Sequence, residues 1–135
     1  MKRHFLIGAA TSGSGKTTFT TGLLRVLYNK GIKAQPFKCG PDYIDPQFHT
    51  QAAHRPSVNL DSWLASMPHL QTVYSKYGTD AEVLVTEGVM GLFDGYNRWL
   101  GSSAQLASSL NIPVILLVNA RSTAFSVAPL IYGFK

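Results

Sequence analysis

At 135 residues the chain has room for one domain with a real hydrophobic core. Apolar residues make up 45% and charged residues only 14%, which excludes a disordered chain, and a single cysteine, Cys39, excludes an internal disulfide. The formal net charge of +5 admits a solvated surface, an anionic small-molecule ligand or a nucleic acid. In chain order, residues 4–10 read as a short buried strand. Its apolar stretch is shorter than a secretion signal needs, and no run approaches the ~20 apolar residues of a membrane span, so a soluble, cytoplasmic protein is expected. From Lys16 the pattern turns helical: Phe19, Leu23, Val26 and Leu27 define one apolar face, and Gly31 marks the stop. Residues 32–38 read as a second strand weakened by Pro36. Residues 39–59 form a polar, turn-rich stretch, long enough to be functional. Residues 60–77 read as a helix broken at Pro68, 81–87 as a third strand and 88–101 as a glycine-rich loop. Ser103, Leu106, Ala107 and Leu110 give another helix face; 113–118 form a fourth strand, and 123–134 begin a further helix. Continuous apolar strands alternating with helices predict an α/β fold, a mostly parallel sheet covered on both faces. Four strands make a thin sheet, and the apolar close of the sequence predicts a truncated domain with a tendency to self-associate.

The strongest local signal is Ala10-Thr11-Ser12-Gly13-Ser14-Gly15-Lys16-Thr17. It matches G-x-x-x-x-G-K-[ST], with alanine at the first glycine position. Gly13 and Gly15 let the backbone wrap so that N–H groups point at phosphates, and the following helix adds its positive N-terminal end. Lys16 is placed for the β- and γ-phosphates and the Thr17 hydroxyl for Mg²⁺. Thr11, Ser12, Gly13, Ser14, Gly15, Lys16, Thr17 and Thr18 are therefore the candidate nucleotide-binding residues of a three-layer P-loop nucleotide hydrolase fold. Thr11 stands where partition-type ATPases carry an extra lysine, and Val118-Asn119-Ala120-Arg121-Ser122 lacks the Asn-Lys-x-Asp that reads guanine. ATP is favoured over GTP.

Two stretches carry carboxylates to the same sheet edge: Lys38-Cys39-Gly40-Pro41-Asp42-Tyr43-Ile44-Asp45-Pro46 and Glu87-Gly88-Val89-Met90-Gly91-Leu92-Phe93-Asp94-Gly95. Ligands of parallel sheets bind beyond the carboxyl ends of the strands. Carboxylates beside a triphosphate are costly unless they serve a cation, and Mg²⁺ is the natural one. Glu87 closes an apolar strand, where such a carboxylate belongs. Asp45 and Glu87 are expected at solvent-accessible loop ends. Gly88, Gly91 and Gly95 suggest backbone held close to a ligand or turning tightly. Lys38 is either a clamp on a transferring phosphoryl group or a surface lysine at a strand end. Cys39 reads as a small residue filling a tight site, and His49 and His54 as neighbours of the substrate loop that do not ligate metal.

The segments TSGSGKTT, PFKCGPDYIDPQFH, NLDSW, EGVMGLFDG and Gly101-Ser102-Ser103-Ala104 resemble the N-terminal synthetase domain of the cobyrinic acid a,c-diamide synthases. The resemblance runs essentially the whole chain, residues 1–135, and extends more distantly to cobyric acid synthase and dethiobiotin synthetase. It implies ATP-dependent amidation of the a and c carboxylates of a corrinoid through an acyl phosphate, in cobalamin biosynthesis. Ammonia would come from glutamine, cleaved by a C-terminal glutaminase domain that these residues do not include, so the fragment is expected to be inactive alone. By matched motif it implies ATP and Mg²⁺ at Gly13, Gly15, Lys16 and Thr17, with Thr17, Asp42 and Glu87 serving the metal. It further implies substrate contacts from Asp42, Tyr43, Asp45 and Gly91, and catalytic roles for Lys38, Asp45 and Asp94. A positive mouth would steer the polycarboxylate substrate. The rivals are a hydrogenobyrinate or nickel-tetrapyrrole a,c-diamide synthase, a dethiobiotin-synthetase-like ligase and a partition-type ATPase switch. Scattered basic residues argue against nucleic acid.

Overall fold

The computed structural model describes residues 3–135. Its elements in order are β1 (Arg3–Ala9), α1 (Lys16–Asn29), β2 (Ala34–Cys39), α2 (Asp45–Ala53), β3 (Val58–Leu60), α3 (Met67–Tyr77), β4 (Val83–Glu87), α4 (Ser103–Ser109), β5 (Val114–Leu117) and α5 (Val127–Gly133). The five strands form one sheet in the order β3-β2-β4-β1-β5, with every pairing parallel. Strand residues alternate between two cores. Leu6, Phe37, Leu84, Leu92 and Leu106 pack in the layer that holds α3 and α4, while Ile7, Leu24, Ala34, Val83 and Val85 pack in the layer that holds α1 and α2. This is the expected three-layer α/β architecture. No helix among the described residues is long and apolar enough to cross a membrane.

The stretch 39–59 is more than a loop. It contains α2, which lacks an apolar stripe, and the three-residue β3, which adds a fifth strand to the expected four. Pro36 does not weaken β2, all six residues of which are buried. The Pro36 carbonyl accepts from the Gln35 amide, which also bonds the Pro56 carbonyl ahead of β3. The edge of Pro36 that lacks an N–H thus faces the gap before β3 begins, where no ladder bond is lost. Pro68 lies in the first turn of α3 and starts that helix at Met67 rather than breaking one begun at residue 60. In α1 the buried face is Lys16, Thr20 and Leu24, whereas Phe19 and Val26 are 43% and 50% exposed. The first turn decides this rotation, because Thr17 is held by Glu87 at the end of β4 and Lys16 by the Met90 carbonyl just beyond it.

Candidate nucleotide and carboxylate site

The register of the sheet sets the site. Ile7 pairs with Glu87, and Glu87 pairs with Lys38, so the three lie in one row across β1, β4 and β2. Partners in register point to the same face, which here is the face covered by α1 and α2. Thr17 in the first turn of α1, and Asp45 and His49 one turn apart in α2, therefore meet Lys38 and Glu87.

The loop between β1 and α1 wraps as the motif requires. Gly13 and Gly15 have φ of 73° and 85°, the left-handed region that favours glycine, and a Cβ at either would meet nothing within 4 Å. The Ser14 hydroxyl donates to the Thr11 carbonyl at 2.9 Å, bracing the loop internally. Ser12 and Thr18 are exposed. The Lys16 ammonium donates to the Met90 carbonyl at 2.7 Å. Burial and then the neighbouring Lys38 charge hold its pKa below the usual lysine value, with Glu87 and Asp45 acting in the opposite sense.

The acidic cluster is centred on Lys38. Its ammonium lies 2.8 Å from Asp45 Oδ2, 3.1 Å from Glu87 Oε1 and 3.7 Å from Asp42 Oδ2, and donates to the Gly88 carbonyl at 3.2 Å. Lys38 is 3% exposed, so it is not a surface lysine. Burial works to lower its pKa, but Glu87 and Asp45 outweigh burial and raise it. Glu87 is fully buried, not at an accessible loop end; Asp45, at the start of α2, keeps part of its side chain in contact with solvent. Glu87 Oε1 accepts from the Thr17 hydroxyl at 2.7 Å, and Oε2 lies 2.6 Å from His49 Nε2. Burial pushes the Glu87 carboxyl up, yet the bonds from His49 and Thr17 and the charge of Lys38 hold it below the ordinary glutamate value.

Asp42 uses Oδ1 to accept the N–H groups of Ile44 and Asp45 at 2.8 and 3.1 Å, which caps the entry to α2. Tyr43, beside it, is 80% exposed. Asp94 Oδ2 accepts from the Gly91 N–H at 3.1 Å and closes a turn, while the Leu92 N–H bonds the Ala9 carbonyl at 2.8 Å and ties that turn to the phosphate loop. The three glycines of this loop are set by its own packing: a Cβ at Gly88 would meet Ser103 Oγ at 2.7 Å, one at Gly91 would clash with the Asp94 carboxylate, and one at Gly95 would clash with the Leu100 carbonyl. Cys39 is buried, and burial pushes its thiol up to about 11 despite a bond to Ser103 and the nearby Lys38 charge. His54 ends α2 and stacks on Tyr28 at 4.1 Å, away from the cluster.

Two ammonium groups, Lys16 and Lys38, face three carboxylates, so the mouth is not the purely positive one expected from net charge. No set of three or more His, Cys, Asp or Glu among the described residues is arranged to hold a metal unaided. Mg²⁺ in a phosphate site takes one or two protein oxygens and fills its shell with phosphate and water. The donors are hard oxygens in excess: Thr17 Oγ1 lies 2.7 Å from Glu87 and 3.2 Å from Asp45, and its one proton serves one carboxylate at a time. Beside this cluster opens an apolar cleft of about 270 Å³ between Cys39, Gly40, Leu60, Trp63, Met90 and Tyr96.

Lys38, Asp45, Glu87 and Thr17, expected at one edge, meet there. His49, expected only as a neighbour of the substrate loop, bonds Glu87, and its i, i+4 spacing from Asp45 is the signal for that placement; the Met90 and Gly88 carbonyls that receive Lys16 and Lys38 carry no sequence signal.

Residues 5–124 match the family model described as the CobQ/CobB/MinD/ParA nucleotide binding domain. The chain is 43% identical over 137 residues to the cobyrinate a,c-diamide synthase of Streptococcus sanguinis (strain SK36). It is 49% identical over 135 residues to the hydrogenobyrinate a,c-diamide synthase of Brucella ovis (strain ATCC 25840 / 63/290 / NCTC 10512). Each match covers 98% of this chain, which spans about 30% of the length of these relatives. In fold alone it resembles the signal recognition particle receptor FtsY from Elizabethkingia anophelis in complex with GDP. That likeness has a TM-score of 0.67 and 17% identity and covers all of this chain and 46% of that one. The chain belongs to the CobQ/CobB/MinD/ParA nucleotide-binding domain family.

Proposed function

We propose that this chain is the ATP-dependent carboxylate-activating part of a cobyrinate- or hydrogenobyrinate-type a,c-diamide synthase, a carbon–nitrogen ligase. The observation that supports this most directly is the convergence of the phosphate-loop Lys16 and Thr17 with the buried Lys38, Asp45 and Glu87. In the proposed reaction a substrate carboxylate oxygen attacks the γ-phosphorus of ATP, and ADP leaves. Ammonia then attacks the acyl carbon, releasing inorganic phosphate and, after loss of a proton, leaving the carboxamide. The ammonia would come from a glutaminase segment of the native polypeptide. Lys16 and Lys38 supply fixed positive charge to the transferring group. Thr17 and Glu87 would hold Mg²⁺, which when bound neutralises phosphate charge. Asp45 fits the second carboxylate position better than Asp42, whose Oδ1 is committed to α2. Asp42 then positions Asp45, and Asp94 orders the Gly91 turn that borders the substrate. The apolar cleft between the loops after β2 and β4, with the exposed Trp63 and Tyr96 meeting edge-to-face at 4.7 Å, suits the body of a large ring whose carboxylates would reach toward the cluster. Tyr43 would stand at its polar margin.

Lys16→Ala in the native polypeptide tests this reading. ATP-dependent amidation is expected to be abolished, with glutamine hydrolysis at least partly retained. Near-wild-type diamide formation would overturn the assignment.

A further inference from the structure

Glu87 is fully buried, and its two oxygens have different neighbours. Oε1 faces Thr17 and Lys38, groups with several alternative partners. Oε2 faces a ring nitrogen of the fully buried His49 at 2.6 Å. An ionised carboxylate carries no proton, so His49 Nε2 is the donor in this bond. Nδ1 faces the Ser57 hydroxyl, 3.5 Å away. His49 also lies one turn after Asp45 in α2, so a single docked helix delivers both the second carboxylate and the group that holds the first.

We propose that His49 is a positioning residue: its hydrogen bond to Oε2 fixes the Glu87 carboxylate so that Oε1 is directed toward Thr17 and the metal–nucleotide complex. This rests on the reading of Glu87 as the metal-associated carboxylate given above. A buried histidine needs a partner for its ring N–H, and this one takes it from the carboxylate of the site itself, which already has its neutralising charge from Lys38. Holding one oxygen and leaving the other to exchange partners is how outer groups orient a metal-binding carboxylate.

The test measures Mn²⁺ binding by electron paramagnetic resonance, with and without ATP, in the native polypeptide carrying His49→Leu, His49→Asn or His49→Gln. Gln can place its amide nitrogen near that of the ring Nε2; Asn falls short and Leu has no donor. The Leu and Asn variants are expected to lose about 10- to 100-fold in ATP-dependent Mn²⁺ affinity. Metal-free ATP binding should be unchanged, and Gln should recover most of the loss. In turnover the same variants should raise the apparent KM for the metal–ATP complex and leave the KM for the ring substrate unchanged. If Leu does not fold, the contrast between Asn and Gln carries the test. Equal Mn²⁺ affinity in all folded variants, or an equal loss in Gln and Asn, would overturn the role of His49 while leaving the site reading intact. A wild-type protein without ATP-dependent Mn²⁺ binding would overturn the site reading, and this proposal with it.

Discussion

The loops after β1 and β4 lie side by side and are both rich in glycine, but for opposite reasons. In the first, Gly13 and Gly15 adopt positive φ with open space where a Cβ would stand. In the second, Gly88, Gly91 and Gly95 have no positive φ, and what forbids a side chain is crowding by their own chain. The first loop is an open, exposed turn whose glycines answer to backbone conformation alone. The second is a buttress: its backbone receives Lys16 and Lys38, and bonds from Gly88 to the Ile7 carbonyl and from Leu92 to the Ala9 carbonyl lock it to β1. Glycine spacing in a sequence therefore does not by itself mark ligand contact.

The largest effect expected from this contrast falls at the root of the buttress. Glu87→Gln leaves the buried Lys38 with Asp45 but without its innermost partner, and should destabilise the fold by about 3 kcal/mol. Calorimetry or urea melts of the variant check this, and a melt equal to wild type would mean the charge serves only the ligand. The pH dependence has a definite sign. The Glu87 carboxyl is held below its ordinary value, so its contribution is present above the unfolded-state pKa and fades as pH falls through the lowered folded one. Wild type should lose stability in that acid window more steeply than Glu87→Gln.

An intermediate effect is expected at Gly88→Ala. The new methyl would stand 2.7 Å from Ser103 Oγ and 3.1 Å from the Ile7 carbonyl, and Ser103 is itself fixed to Val89 at both its donor and acceptor. About 1–3 kcal/mol is the scale for such overpacking, read from urea melts. The smallest stability cost belongs to Gly15→Ala, where only backbone strain of about 1–2 kcal/mol applies. This variant should nevertheless lose more ATP affinity than Gly88→Ala, measured by calorimetric titration. The reverse ranking in affinity would show that the two loops have been assigned the wrong way round.

What could be read from sequence divides along the same line. The phosphate loop is contiguous, so strand, glycines, Lys16 and helix announce each other. The acidic cluster is assembled from β2, α2, β4 and α1; Lys38, Asp45, Glu87 and Thr17 each stand out in the sequence, but the register that joins them does not. His49 reads as a neighbour of the substrate loop, but its contact with Glu87 is not legible because nothing in α2 reads as an amphipathic helix. Pro36 and Pro68 were read as interruptions, although one faces a gap in the sheet and the other opens a helix. The three residues of β3 are too few to carry a period. The buried face of α1 differed from its most apolar one because Lys16 and Thr17 pin the first turn.

The burial of Cys39 carries a consequence for redox and labelling chemistry. A thiol pushed up to about 11 is protonated at neutral pH and lacks the anion that alkylating agents and peroxides attack. It closes β2 in the core shared with Leu6, Leu60 and Leu92 and also forms part of the wall of the apolar cleft, with 3% of its surface exposed. The sole thiol of the chain therefore acts as a built-in reporter of the cleft wall, slow to label while protonated and covered, and faster once that wall opens.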